Sequence, residues 1–229
     1  MRIGLLADAH GNVAGLRAAL TALDSAGCDQ ILFAGDAVGY YPEDNEVISL
    51  LSDRTVAVMG NHDRMLVRPS EQDKVRWPNY ALDRADARLT QASRRWLEQQ
   101  PPTRHLSYSA GTVLLCHGTP WSDSEYLFPD SSLEHLVELD ADYVIAGHTH
   151  VPMSRNAGRV RVINPGSCGQ PRDYIPGACA AVLDLTTGGL ALLRQAYDVA
   201  AYVEGLARYR LPSDFANILL RTRDTNRGI

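Results

Sequence analysis

The sequence predicts an α/β fold built around a parallel sheet, and two observations carry that prediction. Short apolar runs at residues 2–7, 30–34 and 55–59 alternate with two segments of helical periodicity. Such alternation marks crossover units feeding a parallel sheet. In addition, five apolar runs along the chain end abruptly in polar residues able to bind metal. They lead into Asp8-Ala9-His10, Gly35-Asp36, Gly60-Asn61-His62-Asp63, His117-Gly118 and Gly147-His148-Thr149-His150. Ligands bind at the carboxyl ends of strands in open α/β sheets, so the same residues point to a fold and to a site.

Residues 2–7 read as the first strand. Asn12 stands where an N-cap belongs, Val13, Leu16, Ala19, Leu20 and Leu23 recur at helical spacing, and Gly27 ends the helix. Residues 30–34 form a buried strand bounded by Gly35-Asp36. After Gly39-Tyr40-Tyr41-Pro42, a short helix from about Glu43 to Leu51 carries Val47, Ile48, Leu50 and Leu51, and residues 55–59 are the third strand. Residues 64–103 are polar and charged, with breaks at Trp77-Pro78 and Pro101-Pro102. Helices are expected there from about Asn79 to Leu89 and from Ala92 to Gln99. This helical insertion is expected to be scaffold in preference to a lid or a partner surface.

Residues 104–108 and 112–116 read as a hairpin around Ala110-Gly111, with His117 directly after it. A loop holding Trp121, Tyr126 and Phe128 leads to a helix from about Ser132 to Leu139 and a strand at 143–146. The remainder is strand-rich, at 160–163, 179–184 and 190–197, with a hairpin turn at Thr187-Gly188-Gly189 and a closing helix around 199–209. No repeat or linker divides the sequence, so one domain over residues 1–229 is expected.

With 229 residues, 45% hydrophobic and 21% charged, the chain has the length and composition for a full core. A net charge of −5 argues against affinity for long nucleic acid, which needs a basic face. It leaves room for a small anionic substrate, because bound metal supplies local positive charge. The apolar start is too short for a signal peptide and no run approaches a transmembrane span, so no membrane association is expected. Cys28, Cys116, Cys168 and Cys179 have no paired spacing and read as reduced thiols of a cytoplasmic protein.

Five of the seven histidines, His10, His62, His117, His148 and His150, fall just after apolar runs; His105 and His135 do not and read as ordinary residues. A lone histidine is more often structural than a ligand, but five at strand ends beside Asp8, Asp36 and Asn61 reverse that preference. Residues two apart in an extended segment point to the same side, so Asp8 and His10 can reach one cation together. His148 and His150 share that spacing. Oxygen and imidazole donors without thiolate suit manganese, iron, zinc, cobalt or nickel better than a structural zinc site.

Taken in order, Asp8-Ala9-His10-Gly11-Asn12, Gly35-Asp36-Ala37-Val38-Gly39, Gly60-Asn61-His62-Asp63, His117-Gly118 and Gly147-His148-Thr149-His150 resemble the five-block signature of the calcineurin-like metallophosphoesterases. Gly39-Tyr40-Tyr41-Pro42, Asn164-Pro165-Gly166-Ser167 and Arg172-Asp173 look like its small stand-alone prokaryotic phosphodiesterases. The resemblance implies a four-layer α/β/β/α sandwich with mixed sheets and a dinuclear metal centre at the sheet ends. It implies two divalent or trivalent transition ions, manganese first and iron, zinc, nickel or cobalt as alternatives. Asp8, His10, Asp36 and His150 would hold one ion, and Asp36, Asn61, His117 and His148 the other, with Asp36 bridging. His62 would face the phosphoryl group, and Asp63 would orient His62 or stabilise its charged form. Asn12 would support the first loop near the substrate. A hydroxide on the two metals would attack phosphorus in line, with His62 assisting the leaving oxygen.

The second block lacks the Asp-Arg-Gly of the superfamily's protein phosphatases and diadenosine-polyphosphate hydrolases, since Ala37-Val38-Gly39-Tyr40 stands there. A phosphodiester carries less charge than a monoester and needs less arginine, so a small nucleotide-like or other phosphodiester is the expected substrate. Arg172 is the candidate phosphate contact. Tyr40, Tyr41, Trp121, Tyr126 and Tyr174 are candidates for stacking on a base, although each taken singly reads better as loop packing. The alternatives are a non-catalytic metal-binding scaffold and, behind it, a nuclease or a phosphomonoesterase. Homo-oligomerisation is compatible with the insertion but not required by it.

Overall fold

The computed structural model describes residues 1–222. Two five-stranded mixed sheets form its frame. The first contains β1 (Arg2–Leu6), β2 (Gln30–Phe33), β3 (Thr55–Ala57), β9 (Ala178–Asp184) and β10 (Gly189–Gln195), in the order β10-β9-β1-β2-β3. β1, β2 and β3 run parallel, with Leu6 opposite Phe33 and Phe33 opposite Ala57, and β9 joins β1 antiparallel. The second contains β4 (Arg104–Tyr108), β5 (Gly111–Leu115), β6 (Tyr143–Ile145), β7 (Met153–Ala157) and β8 (Val160–Asn164), in the order β4-β5-β6-β8-β7. There β5, β6 and β8 are parallel, flanked by antiparallel β4 and β7.

Side-chain alternation explains why the sheets stack. Ile3 and Leu5 of β1, Leu32 of β2, Val113 and Leu115 of β5, Ile145 of β6, Ile163 of β8, and Ala181 and Leu183 of β9 meet in one buried cluster between the sheets. Leu6 and Phe33 point the other way, into a second cluster with Leu16, Leu20 and Leu23 of α1 (Val13–Ser25) and Val47, Ile48 and Leu51 of α2 (Asp44–Ser52). Buried on both faces, the central strands are therefore continuous apolar runs. A side chain such as Leu32, fully buried between the sheets, contributes about 1.5–3 kcal/mol through removal from water.

The insertion is helical, as the sequence predicts. It begins within α3 (Asn61–Val67) and continues through α4 (Glu71–Arg76), a 3₁₀ turn at Trp77–Tyr80, α5 (Leu82–Arg88) and α6 (Gln91–Glu98). Ser70 and Thr90 cap α4 and α6 by accepting from Asp73 N and Ser93 N. Two helices close the described chain, α7 (Val199–Leu206) and α8 (Ser213–Leu220). Leu206, Phe215 and Leu219 from these helices pack with Tyr40, Tyr41 and Ala81 behind the second loop. No helix among the described residues is long and apolar enough to cross a membrane.

The helix expected over Ser132–Leu139 is instead a single 3₁₀ turn, Glu134–Leu136. Its apolar residues Leu133, Leu136 and Leu139 are spaced by three, the 3₁₀ period. They lie against the outer face of the second sheet with Leu114, Val144 and Val162. The strand Met153–Ala157 was not expected. Only Met153 and Ala157 of its five residues are buried, so its apolar content is low for an edge strand read from sequence.

Candidate metal and active site

Loops leaving β1, β2, β3, β5 and β6 converge at one edge of the two sheets. The first two loops continue the sheet pairing past the strands: Asp8 N donates to Gly35 O (3.0 Å), His10 N to Asp36 O (3.0 Å) and Gly11 N to Ala37 O (2.9 Å). Asp8, His10, Asp36, His148 and His150 all have positive φ, from 48° to 67°. That left-handed conformation costs a residue with a Cβ about 1–2 kcal/mol, and here it turns each side chain inward from the strand end. The late Asn164-Pro165-Gly166-Ser167 stretch fastens these loops. Ser167 Oγ donates to Asp8 O (2.7 Å), and Asn164 Nδ2 donates to Gly147 O (2.6 Å) and Thr149 Oγ1 (3.0 Å).

The structure brings all seven expected ligands together, and all are buried. Asp8, His10 and His150 present donor atoms that lie within 4.8 Å of one another, as do Asp36, His117 and His148. Asp36 Oδ2 lies 3.6 Å from His10 Nε2 and 3.2 Å from His117 Nε2, between the two groups. Asn61 Oδ1 is 3.0 Å from His117 Nε2.

Hydrogen-bond direction shows that this donor set fits cations. His10 Nδ1 faces Val38 O (3.0 Å), His117 Nδ1 faces Ala34 O (2.7 Å) and His150 Nδ1 faces Gln170 O (2.6 Å). A ring nitrogen against a carbonyl must carry the proton, which leaves Nε2 as a lone pair in each neutral ring. Yet His10 Nε2 and His150 Nε2 face each other at 3.1 Å. Two lone pairs at that distance call for a cation between or beside them. His148 is turned the other way, with Nε2 on Ser124 O (3.2 Å), which leaves Nδ1 for a cation. Backbone carbonyls thus set the tautomers of the ligands, as second-layer groups do in metal sites.

The electrostatics agree. Burial drives His10 and His150 well below the usual imidazole range and takes His148 down to about 4. Burial pushes Asp8 up to about 7. At His117, burial pulls downward but the adjoining Asp36 carboxylate wins and holds the ring at about 10.

His62 opens on the cleft. Its ring is held by packing, with centroids 4.8 Å from His10, 5.1 Å from Tyr40 and 4.5 Å from Tyr80. Burial takes it down to about 4, so it is neutral near pH 7. His62 Nδ1 is buried and has no hydrogen-bond partner. Asp63 does not orient it. The Asp63 carboxylate instead accepts four backbone N–H groups: Asp36 (2.9 Å) and Gly60 (3.0 Å) at Oδ2, and Ala37 (2.9 Å) and Val38 (3.3 Å) at Oδ1. Burial and Asp36 push Asp63 up to about 7 while these N–H donors pull it down. It fixes the loop that carries Asp36.

Of the three expected substrate contacts, two reach the cleft. Arg172 donates to Tyr40 Oη (3.2 Å) and Gln170 Oε1 (2.8 Å), and both Arg172 and Tyr40 line the opening. Asn12 does not. It caps α1 by accepting from Gly15 N (2.9 Å), and its Nδ2 donates to Gly169 O (2.7 Å) and Tyr197 Oη (3.1 Å), so it is fully buried and committed to structure. Among the stacking candidates, Tyr41 is also buried, donating to Phe215 O (2.9 Å). Tyr126 lines the cleft and stacks on His148, with ring centroids 4.0 Å apart. Trp121 lies on the exposed surface against Glu125 and His135, and Tyr174 packs against Arg221.

The cleft itself is small, about 160 Å³. Its rim holds residues the sequence did not single out: Arg64, Met65, Arg76 and Tyr80, all from the insertion expected to be scaffold. Tyr80 also accepts Tyr40 N at its carbonyl (2.7 Å). The available signal was proximity: the insertion starts directly after the third ligand block.

Two mixed sheets carrying this constellation at one edge define a phosphoesterase, and the chain belongs to the calcineurin-like phosphoesterase superfamily, whose domain matches residues 1–188. An uncharacterized protein of Methanocaldococcus jannaschii is 28% identical, over 92% of this chain and 93% of its own length. A metallophosphoesterase from Sphaerobacter thermophilus superposes with a TM-score of 0.83 at 26% identity, covering 96% of this chain and 98% of that one. A hypothetical protein from Pyrococcus horikoshii OT3 has the same fold, with a TM-score of 0.83 at 21% identity over 95% of this chain and 97% of that one.

Proposed function

We propose that the chain is a phosphodiesterase that hydrolyses small nucleotide-like diesters with two divalent or trivalent transition ions, manganese first. The facing lone pairs of His10 and His150, beside the neutral His62 on the cleft, carry this reading. Asp8, His10, Asp36 and His150 would hold one ion, and Asp36, Asn61, His117 and His148 the other. When bound, the pair supplies Lewis acidity that activates a water and neutralises phosphoryl oxygens.

The remaining work falls to the chain's own side chains. Arg172, oriented by Tyr40 and Gln170, binds a non-bridging oxygen. His62, neutral and with its buried Nδ1 unpartnered, presents Nε2–H to the leaving oxygen as a hydrogen-bond donor. Asp63 and Ser167 hold the ligand loops in place. A single guanidinium beside the ligand cluster suits the lower charge of a diester. The small cleft and the net charge of −5 favour a short substrate over a long polyanion.

The test is hydrolysis of bis-p-nitrophenyl phosphate against p-nitrophenyl phosphate. It uses metal-stripped protein resupplied with manganese, nickel, cobalt, zinc or magnesium, with His62→Ala alongside. Metal-dependent turnover favouring the diester, and reduced by about 10²–10³ in the variant, is expected. Two bound ions without turnover would instead make the chain a metal-binding scaffold.

A further inference from the structure

Three arginines line the cleft, and their charges are handled differently. Arg64 is neutralised, with Nε donating to Asp123 (2.5 Å) and Nη1 to Asp73 (3.2 Å). Arg172 and Arg76 make no ion pair among the described residues. Arg172 stands beside the ligand cluster, its backbone N–H on His150 O (3.2 Å), and is the contact for the reacting phosphoryl group.

Arg76 stands elsewhere. It is the last residue of α4, in the insertion, and enters the cleft at the rim. Its Nη2 donates to Tyr80 Oη (2.9 Å), and its Cζ lies 5.7 Å from the Tyr80 ring centroid. The Tyr80 ring in turn lies 4.5 Å from that of His62. Arg76 is therefore separated from His62 by one aromatic ring. A guanidinium has five N–H donors in a fixed fork, and Tyr80 takes one of them. The others remain for a ligand, since Asp36, the carboxylate that lines the cleft, belongs to the candidate metal cluster and makes no ion pair with Arg76. Arg76 is solvent-exposed, and its hydrogen bond to Tyr80 ties it to the lining of the cleft.

We propose that Arg76, oriented by Tyr80, binds a second anionic group on the substrate, so that the preferred class is a phosphodiester bearing a further phosphate or carboxylate on the part that projects from the cleft. This inference rests on the phosphodiesterase reading above. It makes the insertion a specificity element: the core frame supplies the chemistry and α4 selects the charge pattern.

The test compares kcat/KM for two probes, the p-nitrophenyl ester of thymidine 5′-phosphate and the same ester carrying a 3′-phosphate. Manganese-loaded wild-type, Arg76→Gln and Arg76→Lys proteins are used. Wild type is expected to prefer the 3′-phosphorylated probe by about tenfold, as one charge-assisted contact gives. Arg76→Gln is expected to bring the ratio below about two, and Arg76→Lys to restore part of it. Hydrolysis of both probes by wild type at equal efficiency, or an unchanged ratio in Arg76→Gln, would overturn this inference alone. Hydrolysis of neither probe would overturn the phosphodiesterase reading and this inference with it.

Discussion

Asp63 is adjacent to His62 in sequence yet serves Asp36 in space, and Asp63→Ala separates the two roles. The substitution leaves four backbone N–H groups, those of Asp36, Ala37, Val38 and Gly60, without an acceptor. A buried donor left unpaired costs about 1–3 kcal/mol. Water entering the vacated space recovers part of this, and loss of a buried carboxylate beside Asp36 relieves some repulsion. The net loss is about 3 kcal/mol. For a chain of this length each kcal/mol lowers Tm by about 2–4 °C, so a fall of roughly 6–12 °C is expected. The Asp36 loop, held at φ 62°, loses its clamp at the same time, so metal uptake should fall below two ions per chain. Calorimetric unfolding and metal analysis after gel filtration read both quantities. If Asp63→Ala unfolds within about 2 °C of wild type, keeps two ions, and loses turnover as His62→Ala does, then Asp63 acts through His62 and the assignment to the Asp36 loop is wrong.

Metal uptake should release protons. His117 is held at about 10 by Asp36, and Asp8 is raised to about 7 by burial, so both carry protons near pH 7 that an ion must displace. About one proton per chain is expected at pH 7.5, with affinity rising as pH rises, measured by titration calorimetry in buffers of different ionisation enthalpy; a heat independent of buffer would refute this. Chelation should lower Tm by about 5–10 °C per ion at a free concentration one hundred times Kd; an unchanged transition would show that the ligand cluster holds no ion. Gly60→Ala should cost at least one ion per chain, because a Cβ there would overlap the backbone nitrogen and Oδ1 of Asp36; two ions retained in the folded variant would refute the close approach.

The site was more legible in the sequence than its surroundings. Aspartate, asparagine and histidine gathered at strand ends are recognisable as candidate metal ligands, so Asp8, His10, Asp36, Asn61, His117, His148 and His150 stood out by type and place. What a side chain does within a loop left no such mark. Asp63 bonds to backbone atoms, and backbone partners have no residue type to recognise, whereas the N-cap role of Asn12 was legible from its place before Val13. Arg76 and Tyr80 lie in a charged helical stretch where solvated and functional arginines look alike. The Ser132–Leu139 segment misled because a three-residue spacing of leucines is close enough to 3.6 to pass for a short helix.

The candidate ligands are divided between the sheets: Asp8, His10, Asp36 and Asn61 follow strands of the first, and His117, His148 and His150 follow strands of the second. Elsewhere the sheets meet mainly through apolar contacts such as Leu5, Leu32, Leu115 and Ile163, which are non-directional and resist sliding weakly, with hydrogen bonds from Tyr108 Oη to Gln30 Oε1 (2.6 Å), Arg104 Nε to Ala57 O (2.8 Å) and Arg161 Nη1 to Gly188 O (2.7 Å). An ion bound by both sheets acts as a rivet at one end of a layered stack. The loaded protein should therefore loosen first at the opposite end, where β9 and β10 turn at Thr187-Gly188 and the turn is tied to the other sheet by the Arg161 Nη1–Gly188 O hydrogen bond. Amide exchange there should stay fast while the strand ends near the ligands become slow, making metal content a setting of mechanical stiffness as well as of reactivity.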